Sequence, residues 1–516
     1  MKILYAIVLA FFCASCSTRI SSVDKKKPNI ILFLVDDMGV MDTSVPMLAD
    51  DQGNPRTYPL NKWYRTPNME RLAALGVRFS NFYSHNVCSP TRVSIMNGQN
   101  SARHLCTDYI NPWQNNNLIN NRQYPLAICQ QIPAKWNWEG LKKSDLTLPR
   151  LLKSSGYKTI HVGKAHFAPF KHEGEDPLNL GFDVNVAGSA IGAPGSYYGK
   201  ADYGKHTKDR LARPVEGLDK YHGTDTFLTE ALTLEAKIEI DKSLADKKPF
   251  FLHMSHYAVH SPFQSDPRFA KNYKGKERAF LAYATMIEGI DKSLGDLMDH
   301  IEAKGIAEDT LIVFLGDNGG DASIKGLDGI NSCAPFRGRK GAKWEGGMRV
   351  PFIASWGKAN PQNSFQKANP IIANTMRQEF GACFDLLPTI SKIANIEIPE
   401  SHKVDGQLLN DLFGGETNAQ HRNVFLNHYP HPRRGQSHFF TTWRNGDWKV
   451  IYEYFESGDA RYSLYNLKDD ISESNNLAKS HPDKLKSMMQ EMVNELNSMD
   501  AIYPNKGGVE LRVEIP

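Results

Sequence analysis

Asn29-Ile30-Ile31-Leu32-Phe33-Leu34-Val35 is an unbroken apolar run, the pattern of a strand buried on both faces of a parallel sheet. It stops at Asp36-Asp37. Thr310–Leu315 has the same character and ends in Gly316-Asp317-Asn318-Gly319. Thr159–Val162 ends in Gly163-Lys164-Ala165-His166, and Phe250–Leu252 leads through His253-Met254-Ser255-His256 to Val259-His260-Ser261-Pro262. Between these runs the period lengthens to that of helices. Thr66-Pro67 opens one as cap and first turn, with Leu72 and Leu75 on one face and Gly76 as its stop, and Arg278–Lys304 is a long amphipathic one closed by Gly305. Strands alternating with helices predict an α/β domain, a mostly parallel sheet between helical layers. Four strands deliver polar residues at their C-terminal ends, the edge of such a sheet where ligands bind.

The pattern changes near Gly414-Gly415. Phe439–Trp443, Trp448–Tyr454 and Tyr462–Tyr465 are short, aromatic, β-rich runs separated by Gly, Asn and Asp turns, and a helix follows around Pro482–Met499. This divides the chain into a larger domain over 28–414 and a small antiparallel α+β subdomain over 415–516.

At the other end, Lys2 precedes the apolar run Ile3–Phe12, and Cys13-Ala14-Ser15-Cys16 follows, the pattern of an export signal. A small-residue pair before a cysteine resembles a bacterial lipobox. On that reading residues 1–15 are removed, Cys16 carries the lipid, and 16–27 tether an exported domain to the membrane of the cell envelope. The alternative is an ordinary signal peptide cut nearby. No later stretch is apolar enough to span a bilayer. The 516 residues exceed one typical domain, 41% hydrophobic and 23% charged residues suit a globular enzyme, and a net charge of +4 gives no reason to expect nucleic acid. Beyond the signal, Cys106, Cys129, Cys333 and Cys383 can pair in three ways, and no zinc-like Cys/His spacing occurs.

The remaining cysteine stands in Cys88-Ser89-Pro90-Thr91-Arg92. Pro90 suits the first turn of a helix, which places Cys88 at its N-terminal mouth, where backbone N–H groups favour an anion such as a sulfate ester. By itself Cys88 reads equally well as a buried small hydrophobe or half a disulfide. Asp36, Asp37, Asp317 and Asn318 are hard oxygen donors, the set that selects Ca²⁺ or Mg²⁺, although one Asp-Asp pair after a strand is as readily a turn. Single histidines such as His166 and His260 are more often structural than catalytic.

Taken together, these phrases closely resemble the type I, formylglycine-dependent sulfatases. The resemblance rests on Cys-x-Pro-x-Arg with Gly98, Gly-Lys-x-His at Gly163–His166, His260 before Ser-Pro, Lys340, and Glu-Gly-Gly-x-Arg-Val-Pro at Glu345–Pro351. It covers nearly the whole mature chain. Asn97 departs from it, because the family more often has Thr there. The resemblance implies an alkaline-phosphatase-like fold and a maturation enzyme that oxidises Cys88 to formylglycine (3-oxoalanine), whose hydrate is the nucleophile. It assigns one Ca²⁺ to Asp36, Asp37, Asp317, Asn318 and the modified Cys88. Arg92 would hold the hydrate, Lys164 and Lys340 the sulfate oxygens, with Lys343 at the pocket rim. His260 would protonate the leaving oxygen, and His166 would take the proton that lets sulfate depart.

Two rival readings are a phosphohydrolase of the same fold and a non-catalytic surface lipoprotein that binds glycans. For a sulfatase, export suggests sulfated carbohydrate as substrate, either algal (ulvan, carrageenan) or glycosaminoglycan and mucin. The stretch Asp108–Trp138, with Trp113, Trp136 and Trp138 among many Asn residues, is either a sugar-stacking pocket or an ordinary surface loop.

Overall fold

The computed structural model describes residues 26–116, 130–205, 213–273, 278–321, 331–432 and 439–516. The signal, Cys16, most of the tether and Cys129 lie outside them. Among the described residues, no helix is long and apolar enough to cross a membrane.

Eight strands form the main sheet: β1 (Asn29–Val35), β2 (Val77–Tyr83), β3 (Lys158–Gly163), β4 (Val184–Val186), β5 (Phe250–Ser255), β6 (Thr310–Gly316), β7 (Phe352–Trp356) and β8 (Thr375–Ala382). Their order is β8-β2-β7-β6-β1-β5-β3-β4, and only β7 runs antiparallel to its neighbours. Every residue of β1 is buried, and the period of two sends its side chains into separate cores. Ile31, Phe33 and Val35 join one beneath α1 (Pro67–Leu75), α4 (Leu228–Ala245) and α5 (Arg278–Ala303). Ile30, Leu32 and Leu34 join the other, against α2 (Cys88–Asn97), α3 (Leu148–Ser154) and α6 (Leu386–Ile393). Each of these side chains contributes roughly 1.5–3 kcal/mol by leaving water, so the apolar run is held at the centre of a three-layer sandwich.

Register places the chemistry. Val35 pairs with Gly316, Leu34 with Ser255, and Ser255 with Gly163. The residues that follow β1, β6, β5 and β3 therefore emerge side by side.

Helix α1 begins as its sequence suggests, but Thr66 does not cap it. The Thr66 hydroxyl is occupied by Ser44 N–H at 2.8 Å and Thr43 at 2.9 Å. Asp291 of α5 accepts instead from Asn68 N–H at 2.9 Å and Met69 N–H at 2.8 Å, so the cap comes from another helix. Cys106, Cys333 and Cys383 are buried free thiols. Each of the three pairings needs a bond between two of these three, and none forms.

The C-terminal sheet has four antiparallel strands, β9 (Val424–Tyr429), β10 (Phe440–Asn445), β11 (Trp448–Glu453) and β12 (Tyr462–Asn466), where the aromatic pattern indicates three. Helix α7 (Pro482–Ser498) lays Leu485, Met488, Met489, Met492 and Leu496 over Leu426, Trp443, Val450 and Leu464. A buried ionic cluster joins this sheet to the larger α/β domain. Glu345 accepts from Tyr83 Oη at 2.7 Å and from Arg349 at 2.6 Å. It also pairs with Arg444 of β10 at 3.1 Å and with Lys449 of β11 at 3.0 Å. Lys449 reaches Glu473 at 2.7 Å, and Glu473 in turn accepts from the Glu345 N–H at 2.7 Å. Burial would raise the Glu345 carboxyl, but Lys449, Arg349 and Arg444 hold it well below the usual range. Burial and the charge of Glu345 push Glu473 up to about 7. Lys343, expected at the pocket rim, pairs with Glu453 of β11 and lies 5.0 Å over the Trp344 ring.

Replacing Glu345 with Gln keeps the shape of the side chain but leaves three buried cations without their shared charge. Urea denaturation of Glu345→Gln should show a loss of about 3–5 kcal/mol. A loss below about 1 kcal/mol would show that the cluster adds little to stability.

Candidate active site

At the C-terminal ends of β1 and β6, Asp36, Asp37 and Asp317 bring carboxylate oxygens within 4.8 Å of one another, all inside the protein. The turn that achieves this is tight. Asp37 adopts φ 58°, uncommon for a residue with a side chain, and its N–H donates to Asp317 Oδ1 at 3.0 Å. Asp36 is tied to the segment before His260 by Asp36 N–H to Ala258 O (3.1 Å) and Val259 N–H to Asp36 O (2.7 Å).

Each carboxylate has its own cation. Lys164 Nζ lies 2.7 Å from Asp36 Oδ2, and Lys340 Nζ lies 2.6 Å from Asp37 Oδ1. Arg92 reaches Asp317 Oδ2 through Nε at 3.0 Å and Nη2 at 2.8 Å. Its Nη1 donates to Lys164 O at 2.9 Å and Ser255 Oγ at 2.8 Å. The Arg92 fork, expected on residue 88, is thus engaged with the acidic cluster and the ends of β3 and β5.

The cluster fits a hard divalent cation. Burial and the charges of Asp317 and Asp37 lift Asp36 well above the ordinary carboxylate range, against the pull of Lys164. Burial acts in the same sense on Asp37, but Lys340, His260 and Lys164 overcome it and hold that carboxyl below the usual range. Asn318 donates Nδ2 to Asp37 Oδ1 at 2.8 Å and to Gly319 O at 2.9 Å. That leaves Asn318 Oδ1 buried with no donor, and Asp36 Oδ1 likewise, with Arg92 Nη2 3.9 Å away. Orphaned oxygens beside mutually repelling carboxylates are what Ca²⁺ or Mg²⁺ ligation would satisfy.

Helix α2 starts at Cys88, and Val87 before it offers no capping side chain. The N–H groups of Cys88 and Ser89 in its first turn are therefore unclaimed by a side-chain cap. Asn97, the departure from the family pattern, accepts from Gln99 N–H at 3.0 Å, a turn bond that Thr can also make.

His166 sits at φ 55°, with Nε2 2.6 Å from Ile110 O and Nδ1 3.4 Å from both Cys88 Sγ and Ser89 Oγ. A carbonyl only accepts, so Nε2 carries the proton and Nδ1 turns a lone pair on residue 88. Burial, reinforced by Lys164, keeps the ring uncharged. His260 lies across the site, with Nδ1 2.9 Å from Ser261 O and Nε2 3.5 Å from Asp37 Oδ2. Its side chain is 17% exposed, so it stands at the mouth while the cations and carboxylates lie behind it. Burial and the Lys340 charge push it down to about 3. Tyr197 Oη donates to His260 O at 2.8 Å and fixes its backbone.

All ten residues read from the sequence meet here: Asp36, Asp37, Cys88, Arg92, Lys164, His166, His260, Asp317, Asn318 and Lys340. Sequence reasoning missed Ser89, Ser255, Tyr197 and Gly192. Ser255 lay in a strand-end phrase that also holds His253 and His256, and those two prove structural: His253 Nδ1 meets His161 Nδ1 at 3.0 Å, and His256 Nε2 meets Ser293 Oγ at 2.9 Å. A Cβ on Gly192 would come within 2.7 Å of His166 Cε1, a constraint that leaves no mark in sequence.

The chain belongs to the sulfatase family, whose domain model matches residues 28–396, and a model of the C-terminal part of N-sulphoglucosamine sulphohydrolase matches 340–501. It is therefore a sulfatase, which sets aside the phosphohydrolase and the non-catalytic lipoprotein. It is 26% identical to a sulfatase of Formosa agariphila over 93% of this chain and 89% of that one. It is 29% identical to the N-acetylgalactosamine-6-sulfatase of Canis lupus familiaris over 75% of this chain and 66% of that one. The crystal structure of Ps i-CgsB superposes with TM-score 0.67 at 26% identity, covering 91% of this chain and 93% of its own, and carries the same alkaline-phosphatase-like architecture.

Gly192→Ala should displace His166 from residue 88 without loosening the core. Steady-state kinetics should show turnover reduced about 10²-fold, the usual cost of an ångström-scale misplacement, with an unchanged melting temperature. Full activity in this variant would remove His166 from the reaction.

Proposed function

We propose that this sulfatase uses formylglycine and calcium to remove sulfate from a sulfated polysaccharide or oligosaccharide. One observation carries the reading: residue 88, at the mouth of α2, faces the His166 lone pair at 3.4 Å beside an oxygen-only acidic cluster with two orphaned oxygens. The carbohydrate class is supported by two relatives. One is the N-acetylgalactosamine-6-sulfatase above. The other is Ps i-CgsB, whose complex with k-i-k-neocarrahexaose matches at 25% identity and TM-score 0.68 over 91% of this chain. A carrageenan-type or glycosaminoglycan chain is the class of substrate we assign.

Formylglycine made from Cys88 by a maturation enzyme supplies an aldehyde carbon to carry the attacking oxygen. Asp36, Asp37, Asp317, Asn318 and that residue would hold calcium, which would supply Lewis-acid neutralisation of the sulfate charge. The rest is the chain's own work. Lys164 Nζ and Lys340 Nζ hold the sulfate oxygens, whose growing charge the buried cations stabilise more strongly than water can. Arg92 keeps the acidic cluster and the ends of β3 and β5 in register. His166 Nδ1, its other nitrogen fixed on Ile110 O, is placed at residue 88 to take the proton that lets sulfate depart. His260 Nε2 gives a proton to the oxygen of the leaving sugar. Burial and the Lys340 charge favour the uncharged His260 ring, and the negative charge of a sulfate ester would raise its proton affinity. The net reaction is an ester and water yielding an alcohol, sulfate and a proton.

We also propose that the chain is exported and anchored through a lipid on Cys16. Among the described residues of the tether, Lys26 pairs with Asp309, and Lys27 Nζ donates to Ser155 O at 2.8 Å.

Mass spectrometry of active enzyme should find formylglycine at position 88 and bound calcium. Active protein carrying only unmodified cysteine there would overturn the nucleophile. His260→Ala should slow hydrolysis of a sugar sulfate roughly 10²–10⁴-fold more than that of an activated aryl sulfate, whose leaving group needs little protonation. Equal losses on both would make His260 a sulfate-binding or structural residue.

A further inference from the structure

The segment that carries His166 continues past it as Phe167–His172, between two other stretches of chain. On one side Phe170 N–H donates to Pro112 O at 2.8 Å, and the Trp113 ring stands 5.6 Å from that of Phe170. On the other, Leu141 N–H donates to Phe167 O at 3.0 Å, and Trp138 meets His172 edge-on at 5.0 Å.

The three tryptophans of this region have different fates. Trp136 is 3% exposed, packed with Ile132 and Ile502, and is core. Trp138 is partly covered against His172. Trp113 is 39% exposed, one of few large apolar side chains that face solvent among the described residues. Its position ties it to catalysis. Ile110, whose carbonyl sets the His166 tautomer, lies three residues before it, at most about 11 Å along the chain. Exposed Asn115 and Asn116 flank it, with exposed Lys171 on the facing segment.

A single aromatic face among amides and a cation does not suit a protein partner, which needs a contiguous apolar area of several hundred Å². It suits a pyranose ring, whose C–H face lies on an aromatic surface while its hydroxyls and sulfates reach polar neighbours. We propose that Trp113, backed by Phe170, stacks the sugar next to the one that bears the scissile sulfate. This rests on the glycan-sulfatase reading above and adds a subsite to it. The subsite makes the enzyme distinguish a chain from a single sulfated sugar.

The test compares substrates of different length on fully matured enzyme: k-i-k-neocarrahexaose, a chondroitin 6-sulfate hexasaccharide and N-acetylgalactosamine 6-sulfate. For the hexasaccharide that the wild type hydrolyses, Trp113→Ala should raise KM about tenfold, the size of one aromatic contact, with kcat within about twofold. Trp113→Phe should recover most of that loss. On the monosaccharide, Trp113→Ala should change KM by less than about twofold. An equal rise in KM on monosaccharide and hexasaccharide, or no rise on either, overturns the platform while leaving the sulfatase reading intact. A matured wild type that hydrolyses none of the three overturns the glycan reading, and the subsite with it.

Discussion

Three carboxylates and three cations are paired in the buried space where β1, β3 and β6 end, and the whole site follows from keeping them paired. Taken from water singly, each of Asp36, Asp37, Asp317, Arg92, Lys164 and Lys340 would cost several kcal/mol. Together they neutralise one another through contacts of 2.6–3.0 Å. Such pairing requires that the ends of β1, β3, β5 and β6 hold a fixed height relative to one another. The apolar strands, buried on both faces and locked by register, provide that rigidity. Nothing on the surface could do so.

The same pairing explains how a buried site remains ready for a substrate anion. The lysines that balance Asp36 and Asp37 also act on His166, which lies 3.4 Å from residue 88. A cation on the carboxylates and an anion on the lysines, as proposed above, would be exchanges of partner within one cluster rather than new burials of charge. His260 is the most exposed of the ten site residues, so it is the one that an incoming ester meets first.

The sequence made the central strands and their polar ends legible because double burial leaves an uninterrupted apolar run that stops where chemistry begins. Asn29–Val35 appears in the structure with the bounds its pattern sets. What stayed hidden was long-range or carried by the backbone. Asp291 caps a helix more than two hundred residues away, so Thr66 looked like the cap. Val424–Tyr429 includes Asn427 and His428, which broke its aromatic pattern although both are buried in the fold. Ile110 acts through its carbonyl and Gly192 through the atom it lacks, and neither has a side-chain signature. Trp136 and Trp113 read alike in sequence, and only packing separates a core residue from an open one.

The Glu345 cluster bears on how the molecule comes apart. Lys340 stands five residues before Glu345, and Glu345 is held from the far side by Arg444 and Lys449 of the C-terminal sheet. The segment bearing a site lysine is therefore clamped by the subdomain that contributes no residue to the acidic cluster. Melting of that subdomain would remove one of the two holds on this segment and leave the lysine to its contacts with Asp37 and Gly320. A protease that nicks between α6 and β9 would leave activity untouched only while the ionic clamp keeps the cut pieces together.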